Sequence, residues 1–176
     1  MTQKLGLIHL YHGDGKGKTT AAIGLALRAA GWGYPVQIVQ FLKRGDSGEI
    51  KALEQLGIRV LAYPQLPSFS FRMDEMEKED CLSAHMETLR RAKEFCDQRP
   101  QGVLVLDEAV GACRKGLLDE QELLAFLYNR PSGWEIVLTG RGPSAALLEA
   151  ADYVTEMKKE KHPFDRGIAA RDGIER

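Results

Sequence analysis

Six short apolar runs punctuate the chain: LGLIHLY at the start, VQIVQF at 36–41, IRVLAY at 58–63, GVLVLDE at 102–108, WEIVLTG at 134–140 and DYVTEM at 152–157. Each has the length of a strand. Between them, segments of helical character predict helices over Thr19–Ala30, Gly48–Leu56, Glu75–Cys96, Glu120–Tyr128 and Ser144–Ala150. Strands that are apolar on both faces and alternate with helices must be covered from both sides. The pattern therefore predicts an α/β fold with a doubly wound, mostly parallel six-stranded sheet. Gly31, Gly57 and Gly133 stand where helices hand over to strands, and left-handed backbone is expected there.

One connection breaks the rhythm. PQLPSFSFRM, residues 64–73, holds two prolines, two serines and two aromatics between a strand and the longest helix. It is expected to be a loop over the carboxyl edge of the sheet, where doubly wound folds take their ligands.

Composition narrows the picture. A chain of 176 residues, 44% hydrophobic and 28% charged, suits one domain spanning 1–176 around a sizeable core. Twenty-four Lys plus Arg against 25 Asp plus Glu leave a net charge of −1, which argues against nucleic acid as a partner. Cys81, Cys96 and Cys113 are odd in number and form no CxxC pair, so a reducing compartment is expected in place of a disulfide framework or a zinc knuckle. MTQKLGLIHLY has no apolar signal core, and no run is long enough to span a bilayer. The expectation is a cytoplasmic protein without a membrane partner.

The candidate chemistry begins at HLYHGDGKGKTT, residues 9–20. The phosphate-loop pattern GxxxxGK[ST] wants its first glycine at position 12, and His12 is there instead. Three readings are open: a damaged phosphate loop, a coincidence, or a loop built for different chemistry on the same nucleotide. Gly13, Gly15 and Gly17 alternate with Asp14, Lys16 and Lys18, and Thr19 and Thr20 follow at a helix start. Glycines let backbone N–H groups point inward and the helix amino end adds partial positive charge, which together make a nest for an anion. Lys18 is placed to reach phosphate oxygens, and the Thr19 hydroxyl to ligate Mg2+ or Mn2+. Asp107 and Glu108, directly after four apolar residues, suit a Walker B strand that holds the same metal. Arg28, nine residues beyond Thr19, and Arg141, at the end of VLTGR, each have two readings, as polyphosphate cations or as surface cations.

GDGKGKTTAAIGLALRAAGWG, VQFLKRGDSGE, VLDEAV, LTGRGPSAALLEAADYVTEM and KHPFDRGIAARDGIE, taken in order, resemble the ATP:corrinoid adenosyltransferases of the phosphate-loop type. The short loop and the KHPFDRGIAARDGIE tail are the specific parts of that resemblance. It implies a P-loop NTPase, RecA-like fold. It also implies transfer of the 5′-deoxyadenosyl group of ATP to cobalt(I) of a corrinoid, with release of triphosphate. Cobalt(I) is itself the nucleophile, so a general base is not needed. By resemblance, Gly13 to Thr20 hold the polyphosphate with Lys16, Lys18 and Arg28 as cations, and Thr19 and Glu108, with Asp107, hold the metal. The short loop is then the third reading: it cradles a leaving group and leaves the 5′ carbon open to cobalt.

Family members displace the lower axial ligand of cobalt with aromatics from a loop that usually reads GFTW. Here the stretch is Ser68-Phe69-Ser70-Phe71, which assigns that part to Phe69 and Phe71 and departs from the family at Ser68 and Phe71. Asp14 replaces the common asparagine and is expected to face the ribose hydroxyls, since a carboxylate would be repelled from a phosphate nest. His162 is assigned no catalytic part. The resemblance further implies a flavodoxin- or flavin-type reductase as electron source, and a homodimer. A phosphoryl-transferring kinase or ATPase, and a corrinoid- or nucleotide-binding module without turnover, stand as alternatives.

Overall fold

The computed structural model describes residues 5–43, 45–63 and 73–175. Its strands are β1 (Ile8–His12), β2 (Val36–Gln40), β3 (Arg59–Ala62), β4 (Gly102–Asp107), β5 (Trp134–Thr139) and β6 (Tyr153–Glu156). Its helices are α1 (Lys18–Gly31), α2 (Glu49–Gln55), α3 (Glu75–Asp97), α4 (Ala109–Arg114), α5 (Glu120–Asn129) and α6 (Ala145–Ala150). All six expected strands form, in the order β3-β2-β4-β5-β1-β6, and every pairing is parallel. One strand, β5, separates the strand leading into the phosphate loop from the strand ending in Asp107. That insertion is the RecA-like arrangement of P-loop NTPases.

The central strands explain why the sheet is buried. Every residue of β2 and β4 is buried, and their side chains divide between two cores. On one face Val36, Ile38, Val103, Val105 and Val137 pack with Ala22 and Ala26 of α1 and Leu53 of α2. On the other Val39, Leu104, Leu106, Ile136 and Leu138 pack with Leu89 and Phe95 of α3, Leu123 and Leu127 of α5 and Leu147 of α6. Small residues let α1 approach closely. Trp134 is fully buried because its ring lies over Gly102 on the paired strand, where a Cβ would meet it at 2.6 Å, and its Nε1–H donates to Arg99 O at 3.2 Å.

Helix starts follow their side chains. Asp74 and Glu77 form a reciprocal capping box on α3, Asp119 accepts from the amides of Gln121 and Glu122 at the start of α5, and Ser144 accepts from Leu147 N on α6. The structure departs from the sequence expectation at three places. α4 is an additional helix, too short at six residues to show a period. β6 is an exposed edge strand, not one covered on both faces. Of the three glycines expected in left-handed backbone only Gly57 is so, with φ 74°. Gly31 lies within α1 and the left-handed residue is Gly33, while Gly133 is needed because a Cβ there would meet Pro100 O at 2.2 Å.

Candidate active site

In a parallel sheet all strands end on one edge, so the residues that follow β1, β2, β4 and β5 converge there. β1 delivers the loop 13–17 to the amino end of α1. Gly17 takes left-handed backbone at φ 114° as the N-cap, and no side chain caps the helix. The first amides of α1 therefore have no intrahelical partner and face outward, which is the condition for binding an anion. Lys18 is buried and its Nζ donates to Gly15 O at 2.7 Å, which folds the side chain back over the loop. Burial lowers the Lys18 pKa, and the neighbouring Arg141 guanidinium lowers it further. A phosphate would relieve both effects.

The alternating glycines have a second cause that the sequence did not reveal. The chain leaving β6 runs against the loop: Met157 N donates to His12 O at 2.7 Å and Gly15 N donates to Met157 O at 2.7 Å. A Cβ on Gly13 would meet Met157 O at 2.5 Å, and one on Gly15 would meet Met157 O at 2.6 Å and Lys158 C at 2.9 Å. Backbone cannot swing aside as a side chain does, so both positions exclude any larger residue. The Asp14 carboxylate accepts from Lys159 N at 3.0 Å, and that hydrogen bond, the largest cause, lowers its pKa. Its partner within the protein is thus the segment after β6. His162 likewise has a structural part, accepting from Phe164 N at 3.2 Å at the start of the 3-10 turn Pro163–Arg166.

β4 and β5 bring the acids. Asp107 ends β4, two strands and so about 10 Å from β1. The gap is closed by two hydroxyls that donate to Asp107 Oδ1: Thr19 Oγ1 at 2.8 Å from the start of α1, and Thr139 Oγ1 at 2.7 Å from the end of β5. Thr139 Oγ1 also accepts from Glu108 N at 2.9 Å. Asp107 Oδ2 accepts from Lys43 Nζ at 2.7 Å. Thr139 and Lys43 were not singled out in the sequence, although one ends an apolar strand and the other follows VQFL.

Glu108 adopts left-handed backbone, φ 58°, an uncommon conformation for a residue with a Cβ. Its carboxylate lies over Gly111, where a Cβ would come within 2.8 Å of Oε2. Burial raises the Glu108 pKa, Asp107 raises it further, and Lys43, Lys18 and Arg141 oppose the shift. Leu42, two residues beyond β2, is the other non-glycine with positive φ among the described residues, at 57°. Strain of this kind is stored where the surroundings fix it, and here it flanks the acids from two strands.

The expected site residues thus separate. Gly13, Gly15, Gly17, Lys18, Thr19, Asp107 and Glu108 come together, and Arg141 is near enough to shift Lys18 and Glu108 electrostatically. Lys16 and Thr20 are exposed at the loop and at the first turn of α1. Arg28 is not brought to the loop: it lies in the last turn of α1, about 15 Å along the axis from Lys18, and acts electrostatically on Tyr11. Phe69 and Phe71 lie outside the described residues. The connection that carries them starts after Tyr63 and ends at Met73, and both of these pack with Leu42, Cys81 and Leu117 beside the same sheet edge.

The donors fit a hard divalent cation, since Thr19 and the two carboxylates offer oxygen only and Asp107 already attracts an ammonium. Among the described residues there is no group of three or more His, Cys, Asp or Glu side chains able to hold a metal unaided.

Comparison with known proteins identifies the family of the chain. The family model for the ATP:corrinoid adenosyltransferases BtuR/CobO/CobP matches residues 4–176. The corrinoid adenosyltransferase of Escherichia coli K12 is 36% identical over 171 residues, covering 97% of this chain and 85% of that protein. Corrinoid adenosyltransferase CobA of Salmonella typhimurium LT2 is 34% identical over 174 residues, covering 98% and 87%. The corrinoid adenosyltransferase of Pseudomonas aeruginosa is 33% identical, covering 97% and 83%. These matches run through the loop, the acids and the tail alike, and the chain belongs to the family of ATP:corrinoid adenosyltransferases, whose members adenosylate corrinoids with ATP.

Proposed function

We propose that the chain transfers the 5′-deoxyadenosyl group of ATP to cobalt(I) of a corrinoid, forming a Co–C bond and releasing intact triphosphate. The observation that carries this reading is the construction of the phosphate loop. The segment that leads from β6 into the KHPFDRGIAARDGIE tail, a specific part of the family resemblance, is hydrogen-bonded into the loop through Met157 and Lys159.

In the reaction the cobalt electron pair attacks C5′, and the C5′–O bond breaks with its electrons passing to the triphosphate. Gly13 to Thr20 hold that leaving group. Lys18 exchanges Gly15 O for a phosphate oxygen, and Lys16 and Arg141 add positive charge from the rim. Thr19, Asp107 and Glu108 hold Mg2+, which supplies further charge neutralisation on triphosphate when bound. Preorganised cations and helix-end amides act where negative charge grows, and a dry site strengthens them. The geometry supports the surface reading of Arg28, which stands outside this set.

Phe69 and Phe71 are assigned to the lower face of the corrin, where an aromatic side chain displaces the axial ligand and eases reduction to cobalt(I). A flavodoxin- or flavin-type reductase supplies the electron, and the working form is a homodimer of this single domain. The free thiols of Cys81, Cys96 and Cys113 support a reducing, cytoplasmic setting. Among the described residues no helix is long and apolar enough to cross a membrane.

Incubation with ATP, Mg2+ and chemically reduced cobalamin tests the reading through the absorption spectrum. A photolabile adenosylated product is expected, and ATP-dependent turnover without one would overturn it.

A further inference from the structure

We propose that Lys43 is the resting counter-ion of the metal site, an ammonium that holds Asp107 until a divalent metal displaces it onto Glu49. The proposal rests on the reading that Thr19 and Asp107 take such a metal. It concerns a residue that the family resemblance leaves without a part.

The two oxygens of Asp107 are used differently. Oδ1 accepts from Thr19 and Thr139, and Oδ2 accepts from Lys43 at 2.7 Å. Asp107 is 1% exposed, so its charge needs a partner at all times, and in the free protein Lys43 is that partner. A divalent cation bound at Oδ2 repels the ammonium, and the two cannot share that oxygen.

The alternative position for Lys43 is already built. Glu49 Oε1 is 4.0 Å from its Nζ and is fixed by a hydrogen bond from Gln40 Nε2 at 3.2 Å. Gln40 is 1% exposed, and its Oε1 has no hydrogen-bond partner among the described residues. Gln40 pairs with Asp107 across β2 and β4, so the residue that holds Glu49 is the strand neighbour of the acid that Lys43 would leave.

The backbone supports the same two positions. Leu42 turns the chain through left-handed φ directly before Lys43, while its side chain packs partly buried between two apolar clusters. Packing fixes the strained residue. Lys43, a quarter exposed, keeps the freedom to move its long side chain between the two carboxylates.

The consequence is a coupling. Metal entry into the free protein must evict a cation, whereas entry alongside triphosphate brings anionic oxygens that compensate the displaced charge. Lys43 thereby disfavours a metal without nucleotide.

The test is Mn2+ binding to the full chain without ATP, read from the EPR signal of free Mn2+. Lys43→Met and Lys43→Gln are expected to bind Mn2+ about tenfold tighter than the wild type, as loss of one competing charge-assisted bond implies. Glu49→Gln removes the alternative partner and is expected to weaken binding several-fold when Lys43 is present, with little effect in a Lys43→Met background. Unchanged affinity in both Lys43 variants would overturn the proposal. So would an equal weakening by Glu49→Gln with and without Lys43, since that is simple loss of negative charge. Tight Mn2+ binding by Lys43→Met that survives addition of Asp107→Asn would place the metal elsewhere, and would overturn the metal reading together with this one.

Discussion

Thr139→Val isolates the bridge between the two acids. Valine has nearly the shape of threonine, so the fully buried site keeps its packing and loses only a hydroxyl. That hydroxyl makes two bonds, donating to the Asp107 carboxylate at 2.7 Å and accepting from Glu108 N at 2.9 Å. A hydrogen bond to a charged group contributes about 1.5–3 kcal/mol, and a buried N–H left without a partner costs about 1–3 kcal/mol. Asp107 retains Thr19 and Lys43 as donors, which argues for the lower half of the first range. The expected loss is about 3 kcal/mol. For a chain of this size each kcal/mol moves Tm by roughly 2–4 °C, so the melting temperature of the free protein should fall by roughly 6–12 °C. Differential scanning calorimetry without nucleotide measures it, and Thr139→Ser, which keeps the hydroxyl, should lose less than half as much. A fall under 2 °C in Thr139→Val would show that the bridge carries no tension between β4 and β5, and would refute the argument that it fixes the acids.

Three further outcomes are expected. Gly15→Ala should weaken ATP binding at least tenfold by equilibrium dialysis, because its Cβ meets the backbone of Met157 and Lys158, and near-normal affinity would show that the segment after β6 can move. Lys18→Ala and Thr19→Ala should each lower kcat/KM at least a hundredfold, by about 2.7–4 kcal/mol of transition-state stabilisation, with a far-UV spectrum like that of the wild type; near-wild-type turnover at saturating ATP would remove them from the mechanism. Glu108→Gln should stabilise the free protein while impairing activity: burial holds the Glu108 pKa above its ordinary value of 4.5, so ionisation takes stability away as pH rises from that value to the folded one. The Tm advantage of Glu108→Gln is therefore absent well below pH 4.5 and reaches a plateau above the folded pKa, and an advantage that is the same at pH 4 and pH 8 would contradict this.

The strands and long helices were legible in the sequence because burial on both faces forces apolar runs, and length separates them from helices. α4 was not, since six residues of AVGACR carry no period. The phosphate loop was legible as a motif, but its glycines were only half understood. Nothing in GDGKGKTT says that Met157, more than 130 residues away, lies against it. Lys43 and Thr139 were missed for a related reason: a single lysine after a strand and a single threonine at a strand end are commonplace, and only the strand order brings both to Asp107. Arg28 shows the converse. Its distance in sequence from Thr19 is compatible with a site residue, and the rise of the helix carries it away.

The fate of the phosphates tests the central claim most directly. The chain, ATP, Mg2+ and reduced cobalamin are incubated together, and the phosphorus NMR spectrum of the products is recorded against the amount of adenosylated corrinoid. The account predicts one inorganic triphosphate for each Co–C bond formed, because the loop holds a leaving group and the attacked atom is carbon. Release of ADP and orthophosphate at the rate of corrinoid turnover would contradict it, and would assign the loop and its acids to phosphoryl transfer.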